Sequence, residues 1–473
     1  MAESSTILSL AATLRSHAEQ LRPGERLPST RELVRRHHAS PVTVSRAVAR
    51  LVAEGVVVTR PGDGTYVAQP AESTRAVADL SWQTTALGDR AIDAAALRVY
   101  LEAVPPGTIA MAGGYAHPSL LPVREMSAAL QRASRRPDAW TRPALLGLPA
   151  LQSWFAAEIG PSVGADEVLV TGGGQSAMSV AIRALVPPGA PLLVESPTYP
   201  GALAVARAAG VRPVPVPVDE GGIRPDLLEE TFALTRARCV YLQPLFQNPT
   251  VTVLDDARRH EVLRVAARAG AFVIEDDFAR YLVHEGAPPH PLILDDDDGR
   301  VVYVTSLTKA AAPSMRIGAL VARGAAAERV RALHIVDAFF VPRFLQEAAL
   351  EFVAGPAWNR HLRSLQQLLR RRRQVLVTAL ARSAPDIDIP QVPHGGMHVW
   401  ARLPDDVDER HLAEACRRQG VLVSAGRPYF AAEPPAGHLR LSFAGVANSS
   451  DLDVAVQRLA QALEAVRGRR APS

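Results

Sequence analysis

The sequence predicts an α/β protein in two parts: a short module of helices closed by a hairpin, then a much larger domain on a mostly parallel central sheet. Three observations predict this. Helical periodicity in residues 1–68 gives way to two short alternating runs about the turn Pro61-Gly62-Asp63-Gly64. From about Asp93, helical stretches alternate with the β-rich runs EVLV, PLLVE, RCVYLQ, AFVIEDD and VVYVTS, the pattern of a parallel sheet with crossover helices. The chain has 473 residues, more than one ordinary core, and about 100–200 residues per domain predicts two or three domains.

The first helical stretch runs from about Ile7 to Gln20 and stops at the Pro23-Gly24 breaker. Pro28-Ser29 opens the second helix, where Ser29 with Glu32 three positions on reads as a capping box. After a break at Ala39-Ser40-Pro41, a third helix spans about Val42 to Glu54, with Val44, Val48 and Leu51 as its apolar stripe, and Gly55 ends it. VVVTR and TYVA then alternate as two strands. Residues 69–92 lack strong periodicity and read as a linker, tethered in part by Trp82. Residues 93–473 form the second domain, its larger part about 150–330 and its smaller α/β part drawn from the flanks, mainly the C-terminus. Asp295–Asp298 reads as an exposed loop.

Composition narrows the function classes. Hydrophobic residues at 48% and charged residues at 21% describe a folded protein and exclude a mainly disordered one. No run approaches the ~18–20 apolar residues of a membrane span, and no basic segment followed by an apolar stretch opens the chain, so the sequence reads as cytoplasmic. Cys239 and Cys416 lie far apart without metal-ligand spacing, so neither a disulfide framework nor a metal site is expected. The net charge is only +4, but Arg22, Arg26, Arg31, Arg35, Arg36, Arg46, Arg50 and Arg60 crowd the N-terminal module and suit an anionic partner. Of the 52 lysines and arginines, one is a lysine, Lys309. Arginine replaces lysine on solvated faces and in ion pairs, but not where a neutral amine must form an imine.

The stretch PGERLPSTRELVRRHHASPVTVSRAVARLVAEGVVVTRPGDGTYV resembles the GntR-type winged helix-turn-helix over nearly its whole length. The resemblance implies double-stranded DNA as partner, with the helix from Val42 in the major groove and the hairpin as wing. It assigns Arg31, Thr43, Ser45 and Arg46 to DNA contacts and Gly64 to the tight wing turn. Pro41 stands where many relatives carry a DNA-contacting arginine or another polar residue, so base specificity does not transfer. Arg35, Arg36 and Arg50 read as solvated helix faces.

The segment SLTKAAAPSMRIG resembles the Ser-x-Ser/Thr-Lys...Arg-x-Gly signature of fold-type I aminotransferases, which use pyridoxal 5'-phosphate. The resemblance implies that Lys309 forms the Schiff base, Arg316 pairs with the cofactor phosphate, and Ser306 or Thr308 donates to it. VTGGGQSAMSVAIRAL, a strand, glycine turn and helix, offers the N–H groups of Gly173, Gly174 and Gln175 to that phosphate. VESPTYPGA places Tyr199 against the pyridine ring, QPLFQNPT gives Asn248 to the ring O3′ oxygen, and VIEDDFARYL gives Asp276 to the ring nitrogen. Asp277 reads as structural. Near the C-terminus, PHGGMHVWARLP and HLRLSFA resemble small-domain motifs in which Arg440 clamps an α-carboxylate.

Three departures stand out. Val251 replaces a usual glycine, and Phe278-Ala279 occupy positions where a tyrosine usually bonds O3′, with Tyr281 a helical turn later. Pro200-Gly201 follow Tyr199 where some relatives carry a second acid-binding arginine, which disfavours a dicarboxylate effector. Together the motifs resemble the MocR/GabR regulator family over almost the entire chain. The resemblance implies a head-to-tail homodimer that binds pyridoxal phosphate and senses an amino compound. The alternatives are a working aminotransferase with a DNA-binding appendage, against which Phe278 weighs, and a decayed dimerisation domain, against which Lys309 weighs.

Overall fold

The computed structural model describes residues 5–69, 79–87, 94–98, 101 and 103–468. The chain divides into two compact units, Met1–Arg90 and Ala91–Ser473.

In the first unit, helices Ser5–Glu19, Thr30–His37 and Pro41–Ala53 bury Leu10, Leu14, Leu33, Val44, Ala47 and Leu51 in one core with Leu27 and Val57. Strands Val57–Arg60 and Gly64–Val67 pair antiparallel, Arg60 opposite Gly64. Gly64 has φ +145°, and a Cβ there would come within 2.7 Å of the Arg26 guanidinium, so the turn requires glycine. The capping box at the second helix is half made. Ser29 Oγ accepts from the Glu32 amide at 3.3 Å, but the Glu32 carboxylate turns outward to Arg35 and Arg36. The third helix begins one residue earlier than its periodicity suggests. Ser40 caps it by accepting from the Thr43 amide at 3.1 Å, and Pro41 takes the first helical position, where a missing N–H costs nothing.

Two further expectations fail. Trp82, on the short helix Trp82–Leu87, is 62% exposed and tethers nothing among the described residues. The run Asp295–Asp298 is an exposed loop only at its end. Asp296 is buried and accepts from the Val301 amide at 2.8 Å, and Asp295 meets His290 at 2.7 Å and the buried Arg259 at 3.3 Å.

The second unit is built on an eight-stranded sheet in the order Val168–Thr171, Gly318–Val321, Val301–Ser306, Phe272–Asp277, Cys239–Leu242, Pro191–Ser196, Arg212–Asp219, Gly222–Ile223. Gly318–Val321 runs against both its neighbours, and the four pairings from Val301–Ser306 through to Arg212–Asp219 are parallel. The strands read as unbroken apolar runs because both faces are buried. Val168, Val170, Leu193, Val240, Leu242 and Tyr303 enter one core, while Leu169, Leu192, Val194, Tyr241, Val302 and Val304 enter the other. A third core holds the smaller part, where His398–Arg402, His438–Ser442 and Ser424–Ala425 form an antiparallel sheet.

Strand Arg212–Asp219 escapes a propensity reading because Pro213, Pro215 and Pro217 alternate along it. Near the sheet edge this spacing is tolerable. All three residues lie on one side of the two-residue repeat, so the absent N–H groups point one way and the other row still pairs with Pro191–Ser196.

Candidate functional site

The parallel strands end around a cavity of about 600 Å³, as open α/β sheets place their ligand crevices. Lys309 reaches it from the turn after Val301–Ser306, Asp276 from the end of Phe272–Asp277, Asn248 from the loop after Cys239–Leu242, and Tyr199 from the turn after Pro191–Ser196. Gly174 and Gln175 open helix Gly174–Leu185 on the same cavity, and Ser306, Thr308, Arg316 and Arg440 also line it.

Lys309 Nζ donates to the Gly114 carbonyl at 2.7 Å and lies 4.0 Å from the Tyr115 ring centre. Its ammonium is pulled down to about 7, chiefly by burial, further by the Arg440 and Arg316 charges, and against the pull of Asp276. About half of the amine is therefore neutral near pH 7.

Asp276 is buried, and its Oδ2 accepts from Tyr241 at 2.6 Å and from Gln243 Nε2 at 2.8 Å. Burial raises its carboxyl to about 6, with those two bonds holding it lower than burial alone would. Gln243 Oε1 accepts from the Asn248 amide at 3.0 Å, so one glutamine ties the Asp276 carboxylate to the Asn248 loop. Asn248 Oδ1 is buried without a hydrogen-bond partner among the described residues. Asp277, beside Asp276, takes Tyr303 at 2.8 Å and Arg280 at 2.5 Å on its Oδ2.

The opposite corner is an anion cradle. Gly173, at φ +89°, precedes helix Gly174–Leu185, whose first amides are free to donate. A Cβ on Gly173 would stand 3.1 Å from the Arg316 guanidinium, so a side chain there would occupy the space beside that cation. Arg316 has no ion-pair partner among the described residues. Ser306 Oγ donates to Thr308 Oγ1 at 2.7 Å and accepts from the Thr308 amide at 3.1 Å. Tyr199 O–H donates to Gln175 Oε1 at 3.1 Å, which holds its ring in the cavity wall.

Arg440 lies on strand His438–Ser442, opposite Trp400, and is 3% exposed. Its Nη1 donates to the Ala112 and Gly113 carbonyls at 3.4 and 3.2 Å, its Nη2 contacts His398 Nδ1 at 3.1 Å, and its Nε is buried without a partner among the described residues. The arrangement thus offers a neutral amine, an anion cradle with a guanidinium, a buried carboxylate and a second, separate guanidinium on one cavity.

Several lining residues were not singled out from sequence. Tyr115 follows Gly113-Gly114, a pair whose close backbone approach was the available signal. His398, Gln243 and Met178 carry no local mark. Phe278 lines the cavity, whereas Tyr281 points away into the core, edge-on to Trp358 with ring centres 5.2 Å apart.

The residues expected at DNA belong to the first unit. Arg31, Ser45 and Arg46 are exposed and Thr43 and Gly64 half-buried. Arg31 and Arg46 have no ion pair among the described residues, whereas Arg35 and Arg36 pair with Glu32 and Arg50 with Glu54. The Thr43 hydroxyl lies 2.8 Å from Ser40 Oγ and is engaged in the helix cap. No helix among the described residues is long and apolar enough to cross a membrane, and no cluster of metal-ligating side chains occurs among them.

Comparison with known proteins gives two family matches. Residues 112–459 match aminotransferase class I and II, and residues 9–67 match the bacterial regulatory proteins of the gntR family. The HTH-type transcriptional regulator YjiR of Escherichia coli is 30% identical over 458 residues, covering 92% of this chain and 94% of that protein. YdfD of Bacillus subtilis, also an HTH-type transcriptional regulator, is 24% identical over 452 residues, covering 94% and 93%. Among solved structures, LysN, the α-aminoadipate aminotransferase of Thermus thermophilus complexed with N-(5'-phosphopyridoxyl)-L-leucine, superposes with a TM-score of 0.76 at 29% identity over 82% of this chain and 100% of that one.

Proposed function

The chain belongs to the HTH-type transcriptional regulators of the MocR type, a gntR-family DNA-binding domain fused to an aminotransferase class I and II domain, and from that premise we propose that it holds pyridoxal 5'-phosphate at Lys309 and senses an amino compound there. The observation that carries the proposal is the position of the chain's one lysine: a buried amine with a lowered pKa on a cavity that also presents an anion cradle and a buried carboxylate.

The residues fit that cofactor. Arg316 and the amides of Gly173, Gly174 and Gln175 would take its phosphate, with the Ser306 and Thr308 hydroxyls beside them. Asn248 lines the cavity, and its side-chain N–H group would donate to the ring oxygen. Tyr199 would flank the ring, and Asp276 would hold the ring nitrogen protonated. When bound, the cofactor supplies an aldehyde carbon open to a neutral amine and an electron-withdrawing ring. Arg440 would receive the carboxylate of the sensed compound, whose amine competes with Lys309 for the same carbon. Phe278 offers no hydroxyl at the cavity, which supports sensing over rapid turnover.

At the DNA end, the exposed guanidinium groups of Arg31 and Arg46, with Ser45, would contact the duplex, while Thr43 and Gly64 serve the shape of the recognition helix and the wing. A head-to-tail homodimer completes the reading. It is supported by the large apolar side chains left open on the second unit, Trp140 and Phe339 each 71% exposed and Val123 59%. Light scattering on the purified protein checks the dimer.

The test of the sensor is a visible absorption spectrum of the native protein and of Lys309→Ala, each incubated with pyridoxal phosphate. A band in the native protein that the variant lacks is the expected result, and no band in either sinks the cofactor proposal.

A further inference from the structure

We infer that the sensed compound is an α-amino acid with a single carboxylate and an uncharged, apolar side chain. The inference rests on the cofactor reading above. In that reading the phosphate takes Arg316, the ring nitrogen takes Asp276 and the aldehyde takes Lys309. Among the charged groups that line the cavity, this leaves Arg440.

Arg440 is set up for one anion. Its Nη1 is spent on two backbone carbonyls and one hydrogen of Nη2 on His398, which leaves the second Nη2–H and the Nε–H, itself buried, so there is capacity for no more than one carboxylate. His398 does not lend a second positive charge. Its Nε2 lies 3.1 Å from the Pro249 carbonyl, which can only accept, so Nε2 carries the hydrogen. Nδ1 must then offer its lone pair to Arg440 Nη2, and the ring is neutral. Burial, with the Arg440 charge beside it, holds the His398 imidazolium pKa well below the usual range, in agreement with that tautomer.

Among the described residues the remaining wall carries no further charge: apart from the amides of Gln175 and Gln243 and the Ser314 hydroxyl it is mainly apolar or aromatic, with Leu97, Tyr115, Met178, Phe278 and Met397. A second carboxylate would leave water for these side chains without a cation to meet it, and a buried unpaired charge is strongly penalised. A side-chain ammonium fares no better. It would enter beside Arg440 and Arg316, and the Asp276 carboxylate is already bonded by Tyr241 and Gln243. An apolar side chain loses nothing in that wall and removes apolar surface from water.

The test uses the full-length protein saturated with pyridoxal phosphate. Its visible spectrum is titrated with L-leucine, L-methionine, L-glutamate, L-2-aminoadipate, L-lysine and 3-methylbutylamine, the last being leucine without its carboxylate. Leucine and methionine are expected to perturb the band at concentrations at least about tenfold below the acidic and basic amino acids and the simple amine. In Arg440→Met the gap between leucine and 3-methylbutylamine should close. Leu97→Arg, which adds a cation to the apolar wall, should narrow the gap between glutamate and leucine, and it keeps the inference testable if the Arg440 variant fails to fold.

Glutamate, aminoadipate or lysine matching leucine in the native protein would overturn the inference. So would the simple amine matching it, or a cofactor band that none of the six compounds moves. Absence of any cofactor band is a different result, because it removes the cofactor reading itself and the inference with it.

Discussion

A lysine amine held near 7 and a carboxyl raised to about 6 share one cavity, so single-residue chemistry there is sensitive to pH in a readable direction. Only the neutral amine attacks an aldehyde, and lowering the Lys309 pKa makes that form available earlier as pH rises. The rate at which cofactor-free protein acquires its visible band should therefore rise about fivefold between pH 6 and pH 7 and level off above about pH 8, where a lysine of ordinary pKa would still be climbing. Stopped-flow mixing across that range checks it, and a rate still rising at pH 9 would mean an ordinary amine. Val251 gives a second residue-scale prediction. It is buried with φ +62°, where a β-branched residue costs about 1–3 kcal/mol. Burying a valine side chain contributes about 1.5–3 kcal/mol. The two largely offset each other, so Val251→Gly should change stability by less than about 2 kcal/mol in urea unfolding, whereas Val240→Gly, in the middle of a strand, should cost about 3 kcal/mol or more. At this scale the cavity was legible where chemistry dictates a residue type within a short local stretch, as at Lys309 and Arg316. Tyr115, His398 and Gln243 were not, because tyrosine, histidine and glutamine serve many structural ends and these reach the cavity from segments far apart in the chain.

At the scale of elements, the strands and helices follow from apolar patterning, and the misses have local causes. Arg212–Asp219 is hidden by alternating prolines that only an edge-proximal strand can absorb. The third helix starts at Pro41, one residue before its apolar periodicity, because proline suits the first helical turn once Ser40 supplies the cap. That cap carries a prediction. Ser40 Oγ satisfies the Thr43 amide and also lies against its hydroxyl. Ser40→Ala should cost about 1 kcal/mol, seen as faster amide hydrogen exchange at Thr43 and Val44 with the second unit unchanged. Ser40→Asp should restore most of it, since aspartate caps as well and adds favourable charge at the helix N-terminus. Unchanged exchange in the alanine variant would show that the helix is held by its packed face alone, through Val44, Ala47 and Leu51.

At the scale of the whole molecule, a regulator is a coupling between two binding events, and coupling is reciprocal. If the amino compound shifts the preference for operator DNA by some factor, DNA must shift the affinity for the amino compound by the same factor. The useful range is about 5–150-fold, or about 1–3 kcal/mol. The two halves of that cycle respond to different residues. Arg31→Ala and Arg46→Ala, which remove exposed guanidinium groups that have no ion pair among the described residues, should weaken DNA binding, and each that touches a phosphate should lower the slope of log affinity against log salt by about 0.9. Neither should alter the cofactor band. Arg440→Met should leave DNA affinity in the absence of the amino compound as it was and remove the compound's effect on it. Fluorescence anisotropy with labelled operator, repeated across amino-compound concentrations, reads both halves. If the DNA affinity of the native protein is the same with and without a compound that visibly perturbs the cofactor band, the cavity binds without regulating, and the link between the two units has to be sought in another ligand.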